Sequence, residues 1–541
     1  VSLQEDRSAD TLLGKLGFEH WRPGQKEAVE AALAGRDSLI VMPTGGGKSL
    51  CYQLPGLATE ELTIVVSPLI ALMNDQWQRL NAAGHPVAMI TSAMSDEAVR
   101  RSLDQVRGGE ARMVYCSPER FASTVFLRAI EQRQIDLLAV DEAHCVSEWG
   151  HDFRPDYLRL PEIAERLGRP TVMACTATAT EMVAREIATR FQMREPLQVR
   201  SGFDRPNISF DVVRLEGTGS KARRLALLEA GLADAANRPA IVYCGTRRDT
   251  DEIAAELRDT GLRALPYHAG MEGEDRGNTQ ARFMSGEVEV IVATNAFGMG
   301  VDKADVRSVW HMAIPTSLEA YYQEAGRAGR DGLPARAVLL AMKADLGRLV
   351  RFNQQRAGDP ELAIAHERGW RDYRTIKDFI YSDSCRRRSV LDHFSDGTAG
   401  QPIERCCDVC DPQGWLPDPE TIAIRRTRNS KKTAAPPADL SADDAPLFEQ
   451  LKEWRLRAAD GKPAFTVAHN STLETIAASR PSSDDALLAI KGIGPSFVAK
   501  HAPEVLAIVA SHAPAVPAGT AEADLNVVAA EVGQGDLFGQ L

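Results

Sequence analysis

Residues 42–49 read MPTGGGKS, between the apolar run SLIVM and a stretch with helical spacing. Gly45, Gly46 and Gly47 let backbone N–H groups close on phosphate oxygens at a helix N-terminus, and Thr44 shares that loop. Lys48 then reaches toward β- and γ-phosphates, and the Ser49 hydroxyl can hold Mg²⁺. The strict phosphate-loop pattern has Gly where this chain has Met42, but the physical requirements survive. The second half of such a site is DLLAVDEAH at 136–144. An apolar strand ending in Asp141 and Glu142 would complete the Mg²⁺ shell with the first acid and polarise an attacking water with the second. Adjacent acids at a strand end are common on surfaces. Their meaning comes from the GKS loop upstream.

Three further groups carry chemistry. QEAGRAGRDG at 323–332 puts Arg327 and Arg330 one helical turn apart, so both face one way, as transition-state cations from a second domain would. After the acids, residues 145–157 interleave Trp149, His151, Phe153, Arg154 and Tyr157. Exposed aromatics stack on unpaired bases and Arg adds cation–π and phosphate contact. The alternative is an aromatic cluster buried under a loop, which Pro155 and the charged flanks disfavour. Cys385, Cys406, Cys407 and Cys410 fall together next to Arg386–Arg388. Four thiols in a reducing compartment read as a closed structural Zn²⁺ site. Adjacent Cys406 and Cys407 need a local kink, so Cys385, Cys407 and Cys410 are the core ligands; Cys406 is the fourth, with His393 or Glu404 as substitutes.

These residues need a scaffold. Short β-branched runs recur from 38 to 175 (SLIVM, LTIVVS, RMVYC, DLLAV, TVMAC), each followed by turn residues and helix-like text. That alternation predicts a parallel sheet covered on both faces. The pattern restarts after SGFDRPNIS (201–209) with PAIVYCG, LRALPYH, VEVIVATN, SVWHMAI and ARAVLLAM. The fold class is therefore α/β, with two tandem units over 1–204 and 205–343. A helical, basic, zinc-binding module follows over 344–411, then a linker over 412–443 rich in Pro, Ser and Ala. A small all-α domain occupies 444–512, and a disordered tail 513–541.

Composition agrees with several folded domains, since 541 residues exceed one hydrophobic core. The net charge of −12 excludes a uniformly basic nucleic-acid binder, so any DNA contact runs through local patches. No run approaches the ~18 apolar residues of a membrane span. The polar start VSLQEDRSAD carries no secretory signal. A cytoplasmic, nucleoid-associated protein is the expectation.

The order MPTGGGKS, SPLIALMNDQ, DEAH, TATAT, IVATNAFGMGVDK and QEAGRAGR resembles a superfamily-2 helicase. LGFEHWRPGQ (16–25) and HCVSEWGHDFRPDY (144–157) narrow the resemblance to the RecQ family of DNA helicases, over residues 10–411. It implies two RecA-like lobes closing on ATP, DNA-stimulated hydrolysis, and 3′→5′ movement on single-stranded DNA that unwinds duplex or branched DNA in recombination and repair. It further implies that Phe18 and Arg22 sandwich adenine, that Gln25 reads its edge, and that Asp302 and Gln323 belong to the ATP site. An aromatic, a guanidinium and an amide suit that task. In the family the aromatic-rich loop couples DNA to hydrolysis, and a four-cysteine zinc module stands where this cluster stands. Ser67–Gln76 and Thr176–Thr180 would supply hydroxyls and amides to the DNA backbone.

Residues 446–511 resemble the helical module of RecQ C-termini and RNase D (HRDC-like). Their KGIGPS turn presents N–H groups to phosphates between Lys491 and Lys500. The winged-helix domain common between zinc and helical modules is missing, because some 33 residues from 411 to 443 cannot form it. Near the end, Gln534-Gly535-Asp536-Leu537-Phe538 resembles the peptide by which bacterial DNA-processing proteins hold the sliding clamp. The alternative is a frayed end folded onto the helical module. A monomer is expected.

Overall fold

The computed structural model describes residues 8–43, 45–150, 152–298, 303–359, 362–398, 401–424, 444–459, 467–468, 470–490 and 493–512. Thr44, His151, Asp302, Lys491 and the Gln534–Phe538 peptide lie outside these residues, as do the expected tail and most of the expected linker. The chain divides into two compact units, 1–425 and 426–541.

The first lobe is a seven-stranded parallel sheet in the order β3-β4-β2-β5-β6-β1-β7. Its strands are β1 (Ser38–Val41), β2 (Leu62–Val66), β3 (Val87–Ile90), β4 (Met113–Cys116), β5 (Ile135–Val140), β6 (Thr171–Thr176) and β7 (Leu197–Arg200). The helices are α1 (Ala9–Lys15), α2 (Gln25–Leu33), α3 (Lys48–Ala58), α4 (Ile70–Ala82), α5 (Asp96–Gly108), α6 (Thr124–Ile130), α7 (Leu160–Arg166) and α8 (Glu181–Arg190). The central strands are buried along almost their whole length, which is why they read as continuous apolar runs instead of alternating ones. Strands β3 and β7 were not read from the sequence. They are four-residue strands at the sheet's two margins.

The second lobe is a six-stranded parallel sheet, ordered β10-β11-β9-β12-β13-β8. It comprises β8 (Ile208–Leu215), β9 (Ala240–Tyr243), β10 (Ala264–Tyr267), β11 (Val290–Ala293), β12 (Ser308–His311) and β13 (Ala335–Met342). Its helices are α9 (Ser220–Ala233), α10 (Arg247–Asp259), α11 (Gly273–Met284) and α12 (Leu318–Ala325). The boundary segment SGFDRPNIS runs into β8, an edge strand paired with β13 over eight residues. Three helices follow: α13 (Lys343–Gln354), α14 (Ala363–Tyr381) and α15 (Arg386–His393).

The expected linker begins later than residue 412. Trp415 packs edge-on against Trp310 at 5.7 Å, lies under the Arg336 guanidinium at 4.3 Å, and donates its Nε1–H to Asp211 at 3.1 Å. Leu416 and Ile422 join the same apolar cluster, so this stretch belongs to the second lobe. Its Pro-rich composition mimicked a linker because the segment crosses a lobe surface without regular structure. Among the described residues between Cys410 and residue 444, none is helix or strand.

The second unit holds α16 (Ala445–Ala458), α17 (Asn470–Ser479), α18 (Asp484–Leu488) and α19 (Pro495–Ser511). Leu447, Leu451, Trp454, Leu473, Ile476 and Val505 form its own core.

Candidate nucleotide and nucleic-acid site

In a parallel sheet, loops leaving the carboxyl ends of the strands gather on one edge. Strand β1 delivers the 42–47 loop there, and β5 delivers Asp141. Gly45 and Gly47 both sit at φ 82°, the left-handed region that favours glycine. A Cβ at Gly46 would stand 2.9 Å from the Pro43 carbonyl oxygen, so the loop's tightness needs a hydrogen there. Lys48 opens α3 and its Nζ donates across the loop to Met42 O at 3.1 Å. Met42, standing where the strict pattern has Gly, is fully buried.

Residues at the start of α2 and just before it hold this loop. Gln25 Nε2 donates to Gly47 O at 3.0 Å, and its Oε1 accepts from Arg22 N at 2.8 Å. The Arg22 guanidinium donates to Gly45 O. Gln25 is buried, and both ends of its amide are engaged by backbone, which ties the start of α2 to the loop. Phe18 is half-exposed, ahead of this segment.

A chain of amides and phenols missed at the sequence level runs beneath the loop. Gln76 Nε2 donates to Ser49 Oγ at 3.0 Å, while Gln76 Oε1 accepts from Tyr52 OH at 2.9 Å. Gln53 Nε2 donates to Tyr115 OH at 3.0 Å. Gln76 therefore faces the nucleotide loop and not a DNA backbone. Other hydroxyls expected to meet DNA are also turned inward. Ser67, Thr176 and Thr178 are buried, and Thr180 caps α8 by accepting from Val183 N.

Asp141 is buried, and its Oδ1 accepts from Glu142 N at 3.0 Å. Burial, then the adjacent Glu142, push the Asp141 carboxyl up to about 7 against the pull of Lys48. Such a carboxylate gains from a nearby cation. Glu142 holds left-handed backbone at φ 48°, and its Oε2 lies 3.3 Å from His144 Nδ1. His144 also shares a hydrogen bond with Thr176 Oγ1 at 3.0 Å, which ties the acids to the end of β6.

Beyond His144 the chain bends sharply: a Cβ at Gly150 would meet the His144 carbonyl oxygen at 2.3 Å. Trp149, Phe153 and Arg154 are half-buried on this loop. Arg154 donates to Asp152 at 3.3 Å and to Pro68 O at 3.4 Å. Tyr157 departs from the expected exposed set. It is fully buried and its OH donates to Asp141 O at 3.0 Å. Its ring fills the core while its hydroxyl braces the acid-bearing turn.

The two arginines of 323–332 do not share a helix face. Helix α12 ends at Ala325, and both lie in the turn beyond it. Arg330 reaches the first lobe, where its Cγ would stand 3.6 Å from a Cβ at Gly45. Arg327 is buried within the second lobe, its Nη2 2.8 Å from where a Cβ at Gly298 would be. Gln323, on α12, is half-buried.

The four clustered cysteines converge. Their sulfurs lie within 4.8 Å of one another, with Cys385 Sγ 3.6 Å from Cys406 Sγ and 4.0 Å from Cys407 Sγ. Tetrahedral Zn–S bonds of about 2.3 Å place sulfurs about 3.8 Å apart, so the donor set fits zinc. Cys406 and Cys407 turn inward together because Phe210 N donates to Cys406 O at 3.0 Å and Asp411 accepts from Cys406 N at 2.8 Å. His393 is engaged elsewhere, with Glu319 at 2.8 Å. Arg386 and Arg387 are buried, pairing with Asp408 and Asp204.

Residues 22–187 match the DEAD/DEAH box helicase model, 220–332 the helicase conserved C-terminal domain, and 444–509 the HRDC domain. The chain is 32% identical over 583 aligned residues to the ATP-dependent DNA helicase RecQ of Bacillus subtilis, covering 92% of this chain and 97% of that protein. It is 38% identical over 401 residues to RecQ of Pasteurella multocida, covering 74% of this chain and 62% of that relative. With RecQ of Haemophilus influenzae the match is 37% over 408 residues, 75% of this chain and 64% of the relative's length. The match therefore spans less than two thirds of these last two proteins. In fold, the chain resembles the DEAD-box helicase Mss116 bound to ssRNA (TM-score 0.53, 18% identity, 65% of this chain and 75% of that one). The DUF1998 helicase MrfA bound to DNA is similar to the same degree (TM-score 0.53, 19% identity, 65% and 53%).

Proposed function

This chain belongs to the RecQ family, and on that premise we propose that it is an ATP-dependent DNA helicase that moves 3′→5′ along single-stranded DNA and opens duplex or branched DNA. The observation that carries the reading is the meeting of two lobes at one loop: Gly45 and Lys48 from the first, Arg330 from the second. Lys48 lies where it can follow the β/γ-phosphates, Glu142 orients the attacking water, and Arg330 meets charge developing on the transferred phosphoryl group. Arg327 and Gln323 support that turn. Ser49 and Asp141 would hold Mg²⁺, which would supply charge to offset that of the phosphates. Phe18 and Arg22 flank the adenine.

Single-stranded DNA stacks on Trp149 and Phe153, with Arg154 beside them, and duplex DNA lies ahead of it. Because this loop follows Glu142 directly, base stacking alters the acid that positions water. Cys385, Cys406, Cys407 and Cys410 hold a structural Zn²⁺. The protein acts as a monomer on nucleoid DNA, and the Gln534–Phe538 peptide docks a sliding clamp; a synthetic 531–541 peptide that fails to bind the clamp by calorimetry ends that last assignment.

The test is ATP hydrolysis with single-stranded DNA or RNA added, together with displacement of a labelled strand from duplexes carrying a 3′ or a 5′ tail. DNA stimulation and displacement from the 3′-tailed duplex are expected. Stimulation by RNA alone would move the chain to RNA-dependent ATPases, and stimulation without displacement would make it an ATP-switched DNA binder.

A further inference from the structure

Helix α14 lies outside both sheets, yet it holds the backbone of the loop that carries Trp149. Arg368 Nη1 donates to Glu148 O at 2.6 Å and to Gly150 O at 2.8 Å. One turn along, Arg371 Nη2 donates to Trp149 O at 3.3 Å, and its guanidinium carbon stands 5.3 Å from the Trp149 ring centroid. Two arginines on one helix face thus take three successive carbonyls and one face of the indole.

Toward lobe 2, the same helix meets α12. Arg371 pairs with Asp372 at 3.1 Å, and burial followed by the nearby Glu319 of α12 holds the Asp372 carboxyl up at about 6. Glu319 pairs in turn with His393 of α15 at 2.8 Å. Helix α12 leads into the turn that bears Arg330. So α14 stands between the loop after Glu142 and the helix before Arg330.

We propose that Arg368 and Arg371 are positioning residues: they hold the aromatic loop in the one conformation in which a base can stack on Trp149, so that the ATPase response to single-stranded DNA runs through α14. This rests on the DNA-dependent reading given above. The Arg371 guanidinium and the core against which Trp149 packs hold the indole in place, and the ring stays part-exposed. The guanidinium fork fixes carbonyl directions that an ammonium would leave free. Without the two arginines the loop must be ordered at the moment of DNA binding, and that cost falls on the DNA concentration needed and not on unstimulated turnover.

The experiment is steady-state ATP hydrolysis by the full chain titrated with oligo(dT), comparing wild type, Arg368→Ala, Arg371→Ala and Arg371→Lys. The DNA-free rate and the KM for ATP should stay unchanged, while the half-stimulating DNA concentration rises about tenfold in both alanine variants. Arg371→Lys should recover little of this. Where Arg371→Ala melts early, Arg371→Gln replaces it and should show the same rise. An unchanged half-stimulating concentration overturns the proposal. So does an equal fall of DNA-free and stimulated rates, which marks a folding role, or a higher DNA-free rate, which marks a latch. If wild type itself shows no DNA stimulation, the underlying functional reading fails instead.

Discussion

Gln76 and Ser49 are joined by a 3.0 Å hydrogen bond, linking the helix after β2 to the residue that ends the phosphate loop. The Gln76 amide works from both ends, since its carbonyl also accepts from Tyr52 OH at 2.9 Å. Orientation of the Ser49 hydroxyl is thus set by a side chain outside the loop.

Replacing Gln76 by Leu should free Ser49 Oγ to rotate and strand the buried Tyr52 hydroxyl. Leaving a buried donor unpaired costs about 1–3 kcal/mol, so we expect a lower melting temperature. The KM for Mg·ATP should also rise. Steady-state kinetics at varied Mg²⁺, with calorimetric melting, checks both. An unchanged Mg²⁺ dependence would mean that Ser49 is oriented without Gln76.

The two arginines of the 326–330 turn should separate in their effects. Arg330→Ala is expected to keep ATP binding and melting temperature while losing ~10³–10⁵ in turnover, the usual loss for a transition-state arginine. Arg327→Ala should lower the melting temperature as well, because Arg327 is buried inside the second lobe. Nucleotide binding, single-turnover hydrolysis and melting of both variants measure the split.

Asp372 yields a pH prediction. Its carboxyl is held up at about 6 by burial and by Glu319, against an ordinary value of 3.8. Between pH 4 and pH 6 the folded chain therefore binds more protons here than the unfolded chain, and stability falls as pH rises. The loss is complete above the folded value and amounts to roughly 3 kcal/mol. Asp372→Asn removes the ionising group, so it should raise the melting temperature at pH 7.5. The gain should shrink toward zero near pH 4. A gain independent of pH would remove the titration from the explanation.

The thiol cluster predicts a metal content of about one zinc per chain by elemental analysis. Cys407→Ser should lower both zinc content and melting temperature, since structural zinc binding is itself folding free energy. Chelation should unfold the region around α15 first, read by proteolysis near residues 385–410. Wild-type protein with no bound metal and an unaltered melting temperature under chelator would exclude the site.

The sequence by itself determined whatever chemistry is contiguous. The glycine loop with Lys48 and Ser49 and the Asp141–Glu142 pair each lie within a few residues, so one turn or strand end presents them together, and the four cysteines fall in one short stretch, 385–410. The α/β class was equally legible, because strands buried on both faces leave unbroken apolar runs. Tertiary structure alone decided which residues serve those groups. Parallel strands require crossovers, so neighbours at a sheet's carboxyl edge come from distant segments, as Gln76 does on Ser49, while packing of the second lobe and of α14 onto the first brings Arg330 to Gly45 and Arg371 to Trp149. It also decided orientation. Tyr157 looked like a stacking aromatic beside Trp149, yet its ring is core and its hydroxyl braces Asp141. A residue's type sets what it can bond. Which bond it makes depends on the buried polar group that would otherwise go unpaired, and only the folded chain brings that group within reach.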